Sequence, residues 1–276
     1  MMEELAARLG VPPIVLQGAL GIAAASVLLG FLGRAQRRRR REALDQRLGP
    51  AASAQGIRYH PEGGAAPGMP GAGQAQSAGD ALAFSGSVRG LSWRAEVEQD
   101  PAELRNVRRA AHERTRVTFA VGALAPGRFV LVMALPQGRK RWEGAAPQGD
   151  GFLATVGRKV MESAVDLYAG AYFGARHRAL VNIAGAQVVP APEGFWVLAN
   201  DEAAALRLLG GETPRLLAAL RAGEAGPFRG RPLHSFGLLL SPEGLTLGCQ
   251  VAVTEPAAVR ELAGWAAGVA EQARGL

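Results

Sequence analysis

From Pro13 to Gly33 the chain reads PIVLQGALGIAAASVLLGFLG, 21 residues without a single charge. Wound as a helix, a run of this length crosses a hydrocarbon core of about 30 Å. A soluble helix as long would normally carry a polar face. The run therefore predicts a transmembrane helix over 13–33. A cleaved signal peptide has its positive charge ahead of the apolar stretch, whereas here MMEELAARLG precedes it and the arginines come after. That order predicts a retained anchor. Arg34, Arg37, Arg38, Arg39, Arg40 and Arg41 lie just past the run. The positive-inside rule then leaves 1–12 as a short extracytoplasmic tail and turns the rest toward the cytoplasm and its anionic inner leaflet.

Charge is distributed to match. The formal net charge is +7, but most of it is that arginine run, so the basicity does not argue for nucleic acid as a partner. Lys140 and Lys159 are the only lysines among 31 basic residues, and Ala and Gly abound. This bias suits a GC-rich bacterium, and places the chain in a bacterial inner membrane as a single-pass protein. Small residues four apart, Ala19 with Ala23, Gly21 with Ala25 and Ser26 with Gly30, allow two such helices to approach closely, so a homodimer through the anchor is one partner the pattern admits.

Composition divides the chain beyond the apolar run. Residues 34–48 read as a basic juxtamembrane helix, with Leu44 and Leu48 four apart. Residues 49–80, rich in Gly, Ala, Pro, Ser and Gln, read as a flexible linker. Gly56–Tyr59 is the one patch in it suited to an early strand. Residues 81–276 then form a folded domain. Alternation in SWRAEVE and RVTFAVG predicts half-buried antiparallel strands, and GRFVLVMAL comes after ALAPG as the second arm of a hairpin. PAELRNVRRAAHERTR between the first two strands reads as a short helix.

Further on, Val156, Val160, Met161, Ala164, Val165 and Tyr168 recur at three and four, predicting a helix over 154–173. FWVLAN is a strand, after which Asn200 caps the helix DEAAALRLL. Thr213–Pro214 opens a second helix that Gly223 stops. SFGLLL and GLTLGCQVAV flank SPEG as a hairpin, and Thr254–Glu255 opens a C-terminal helix with Val259, Leu262, Ala266 and Val269 inside. The order excludes regular βαβ alternation, so the fold class is α+β, an antiparallel sheet with packed helices.

The segment FWVLANDEAAALRLLGGETPRLLAALRAG resembles part of an uncharacterised bacterial domain found beside transmembrane segments. The resemblance implies a membrane-associated cytoplasmic module. It brings no catalytic residue with it.

The motifs of known chemistry are missing from the sequence. No phosphate-cradling loop, nucleophile elbow or zinc-protease pair occurs. His60, His112, His177 and His234 are too far apart for metal-ligand spacing, so no catalytic, metal or cofactor residue is assigned and no cofactor is expected. Cys249 alternates with Leu245, Leu247, Val251 and Val253, which predicts a buried, inert thiol. Arg105, Arg108, Arg109, Arg114 and Arg116 could form a phosphate-binding face, but Glu103 and Glu113 are near enough to pair with them, which favours a solvated helix face. Arg139, Lys140, Arg141 and Trp142 share a polar loop suited to a membrane surface. The expected function is a membrane-tethered binding or scaffold module with a protein partner of unknown identity. An enzyme acting on a lipid or small cytoplasmic substrate is the alternative, and nucleic-acid binding is disfavoured.

Overall fold

The computed structural model describes residues 39, 41–61, 81–98, 113–121, 124–135, 152–174, 177–183 and 185–275. It divides into two units, 1–50 and 51–276. In the first, residues 41–50 are helical. None of the described helices is long and apolar enough to cross a membrane, and 13–33 lie outside the described residues.

The second unit is α+β. Its strands are β1 (Arg58–His60), β2 (Leu82–Val88), β3 (Leu91–Glu98), β4 (Arg114–Phe119), β5 (Val130–Ala134), β6 (Gln187–Val189), β7 (Phe195–Ala199), β8 (Phe236–Ser241) and β9 (Gly244–Cys249). They form a nine-stranded sheet in the order β1-β2-β3-β4-β9-β8-β5-β7-β6, every pairing antiparallel. The helices are α1 (Phe152–Phe173), α2 (His177–Leu180), α3 (Glu202–Leu208), α4 (Thr213–Ala222) and α5 (Pro256–Arg274).

Register explains the layers, because residues directly opposite across strands share a face. One transverse row runs Tyr59, Phe84, Ala95, Val117, Leu247, Leu238, Val132, Val197, Val189, apolar from edge to edge. Helix α5 covers this face over β2, β3, β4 and β9, with Val259, Leu262, Ala266 and Val269 fully buried. The next row lies on the opposite face and changes character midway: Arg58, Ser85, Arg94, Thr118 and Thr246, then Leu239, Leu131, Leu198 and Val188. Helix α1 packs on the apolar half, burying Val165, Ala169, Tyr172 and Phe173 against Leu131, Met133 and Leu239.

Local chemistry fixes the ends. Asp201, not Asn200, caps α3, its carboxylate accepting from the Ala204 amide at 3.0 Å. Asn200 is held one position earlier, where its Oδ1 accepts from the Phe129 amide at 2.8 Å and its Nδ2 donates to the Gly127 carbonyl. Thr213–Pro214 opens α4, and Gly223 ends it in the left-handed conformation at φ 74°. Hairpin β8–β9 closes through Pro242 and Glu243, with Ser241 opposite Gly244.

Three other expectations change. Strand β5 does not pair with β4 as a hairpin. It lies between β8 and β7, because a strand apolar on both faces needs neighbours and cover on both. Residues 51–61, linker by composition, are helical over 51–54 and then supply β1, the strand suggested at Gly56–Tyr59. Arg114 belongs to a strand rather than a helix, and Arg116, which stood at the join of the expected helix and the strand RVTFAVG, lies within that strand.

Candidate functional site

The polar half of that second face gathers the charged side chains that the strand pattern turns inward. Alternation places Arg58 and His60 on β1, Ser85 on β2, Arg94, Glu96 and Glu98 on β3, and Arg114 and Arg116 on β4, all on one side. Apart from Arg58, which is exposed, this is no solvated fringe. The side chains of Arg94 and Arg116 are 7% and 10% exposed, and those of Glu96 and Glu98 are 18% and 22%.

The carboxylates bridge the guanidinium groups. Arg94 Nε meets Glu96 Oε1 at 3.2 Å, and Arg116 Nη2 lies 3.0 Å from Glu96 Oε2 and 2.5 Å from Glu98 Oε1. Arg114 Nε meets the other oxygen of Glu98 at 2.5 Å. The same two arginines turn their Nη1 atoms to the end of α1. Arg114 donates to the Gly170 carbonyl at 2.8 Å and Arg116 to the Phe173 carbonyl at 2.9 Å. Helix α1 has no basic residue in its own last turn, so strand β4 supplies the cations that its C-terminal carbonyls favour.

At the sheet edge His60 Nε2 lies 2.8 Å from Ser85 Oγ. Burial first, and then the positive charges of Arg94 and Arg58, hold the imidazole below its usual pKa of 6.5. The exposed Arg58 has no carboxylate partner among the described residues.

Cys249 is fully buried, and burial pushes its thiol up to about 12; the thiol donates weakly to the Thr115 carbonyl at 3.6 Å. Strand β9 ends there, so Val251 leaves the inner face and is exposed. Thr115 ties the chain beyond β9: its hydroxyl donates to the Val251 carbonyl at 2.7 Å and accepts from the Val253 amide at 2.8 Å.

Of the residues singled out in the sequence, Arg114 and Arg116 come together, but with Glu96 and Glu98 on the neighbouring strand rather than with Glu103 or Glu113 along the chain. Arg39 and Arg41 are described, Arg41 within the helical stretch 41–50. Arg34, Arg37, Arg38, Arg40, Arg105, Arg108, Arg109, His112, Arg139, Lys140, Arg141 and Trp142 lie outside the described residues. Among the described residues no three of His, Cys, Asp and Glu converge as metal ligands. Sequence reasoning missed the edge cluster of Arg58, His60, Ser85 and Arg94. The signal was present as polar residues two apart in RYH, SGS, RAE and RTR, but only the register shows that they share a face. Comparison with protein-family models, curated proteins and solved structures returns no match.

Proposed function

We propose that the chain is a single-pass inner-membrane protein whose unit 51–276 is a cytoplasmic binding module, with the polar half of the sheet as its binding surface. One observation carries the binding reading. Four strands, β2, β3, β4 and β9, keep charged or hydroxyl side chains in buried or half-buried positions and exposed Arg58 continues the row on β1, while the adjoining four, in the same row, hold Leu and Val. A shielded ion network contributes little stability compared with apolar packing of the same volume, so its retention favours a role in recognition. The uncharged run 13–33 and the arginines after it support the anchor and its orientation toward an anionic leaflet.

Fusions to the C-terminus test the orientation. A fluorescent protein should glow and alkaline phosphatase should stay inactive. Replacing Arg34 and Arg37 to Arg41 with neutral residues should weaken that preference, and an active phosphatase on the native sequence would reverse the orientation. The second reading, an enzyme acting on a lipid or small cytoplasmic substrate, is favoured by the 2.8 Å contact of His60 Nε2 with Ser85 Oγ, the spacing of a base and its nucleophile. On that reading a fluorophosphonate labels Ser85, and Ser85→Ala abolishes the labelling.

A further inference from the structure

The edge of the polar half-face has a composition that the ion network beside it does not explain. Arg58, Ser85 and Arg94 are directly opposite one another on three successive strands, and His60 stands diagonally across from Ser85. Neighbouring strands are about 4.8 Å apart, so the Ser85 hydroxyl stands one strand spacing from an arginine position on either side. Arg94 gives one nitrogen to Glu96, which in turn is shared with Arg116. Arg58 meets no carboxylate among the described residues. Counting the charged and polar groups on this side of His60, β1 brings Arg58, β2 brings Ser85, β3 brings Arg94, Glu96 and, farther off, Glu98, and β4 brings Arg116 beyond Glu96. Among the described residues, Arg58, Arg94 and Arg116 therefore outnumber Glu96 and Glu98 on this side.

We propose that Arg58, His60 and Ser85, backed by the buried charge of Arg94, form a binding site for a phosphoryl group. Arg58 supplies the exposed guanidinium and Ser85 a hydroxyl proton, a tetrahedral oxyanion accepts from both, and His60 Nε2–H donates to the Ser85 oxygen and so turns its proton to the anion. This deepens the reading of the polar half-face as a binding surface and does not depend on the anchor. The site is also linked to pH. The arginines disfavour a charged imidazole, and an anion seated among them removes that penalty. Phosphoryl binding and protonation of His60 thus reinforce each other, by thermodynamic reciprocity.

The test uses the full chain in a neutral detergent, with histidine rings labelled for NMR and His60 assigned by its loss in His60→Gln. The titration midpoint of His60 is measured in sodium phosphate and in sodium chloride at equal ionic strength. Phosphate should raise it by about 1 in pH. Arg58→Gln, at an exposed position that the fold does not need, should abolish the difference between the two salts. A second arm replaces phosphate with the chain reconstituted in phosphatidylcholine vesicles, with or without phosphatidic acid. A rise in the vesicles identifies a lipid headgroup as the source, and a rise with inorganic phosphate alone identifies a free phosphorylated ligand. A His60 midpoint that is the same in all four conditions overturns the site, and so does an equal rise in Arg58→Gln. Loss of the chain from the membrane fraction would instead count against the anchor alone.

Discussion

A single thiol, a single imidazole and a single guanidinium each report on one layer of this molecule. Cys249 faces the apolar layer, and its alkylation by a polar maleimide should be slow under native conditions and fast in denaturant. It also sets part of the alkaline limit. The unfolded thiol ionises near 9.0 and the folded one only near 12, so its contribution is intact below 9.0 and is lost as pH rises across that interval. Cys249→Ala should flatten the fall in stability above pH 9, read by urea unfolding at a series of pH values. Tyr172, also pushed up to about 12 by burial and the nearby Tyr168, leaves a residual slope. His60 acts at the other end of the scale. Its folded pKa is depressed, so its contribution is present above 6.5 and is lost as pH falls. Arg116 holds the ion network, and Arg116→Leu leaves Glu96 and Glu98 shielded without it. A loss of about 3 kcal/mol is expected, most of it recovered in Arg116→Leu with Glu98→Leu. Equal stability of the single and double variants would mean the network is not coupled.

Helix α1 meets the sheet where two glycines make room for it. Gly248 and Gly237 lie opposite each other, and a Cβ at Gly248 would stand 2.7 Å from the Tyr172 carbonyl, while one at Gly237 would stand 3.1 Å from the Tyr172 ring. The close approach lets Arg114 and Arg116 reach the last carbonyls of the helix, and Gly174, at φ +65°, turns the chain away beneath their guanidinium groups. Gly248→Ala should cost about 1–3 kcal/mol, because the obstacle is backbone. Gly174→Ala should cost about 1 kcal/mol for the left-handed conformation. Both are read by thermal unfolding, and a Gly248→Ala variant as stable as the native chain would show that the helix end can shift. At this scale much was legible in the sequence. The helix expected over 154–173 and found at Phe152–Phe173, the helix from Thr213 that Gly223 stops, the β8–β9 hairpin and the inner face of α5 can be read from periodicity, Gly223 and the SPEG turn. Arg114 and Arg116 were not legible, because alternating RTR after a charged stretch reads as well on a helix. Asn200 was misassigned because Asn and Asp are equally good caps and stand side by side in the sequence.

Strand order belongs to the whole molecule, and nothing local encodes it. Strand β4 pairs with β9, and the Thr115 bond that closes the joint reaches Val251, 136 positions along the chain. Strand β5 lies between two strands made later, β8 and β7. ALAPG suggested a hairpin because a turn signal specifies only that the chain reverses, while the partner of a doubly apolar strand is chosen by which faces remain to be covered. The candidate site shares that difficulty, since its members come from four strands and meet only through register. The same topology makes a strong prediction about cooperativity. The strands early in the chain (β1 to β5) have no complete apolar cover without α5, and β5 has neither neighbour until residues 195–241 exist. No early portion can therefore fold first and wait, and such non-local pairing places folding in the millisecond-to-second range. Tryptophan fluorescence and far-ultraviolet circular dichroism should give coincident urea transitions for the unit 51–276. Ending the chain before Pro256 removes α5 and exposes Phe84, Val117 and Leu247 together. That truncation should abolish the transition rather than lower its midpoint. A cooperative transition surviving in a chain that stops at Ala134 would show instead that β1 to β4 form a foldable unit to which β5 to β9 are added.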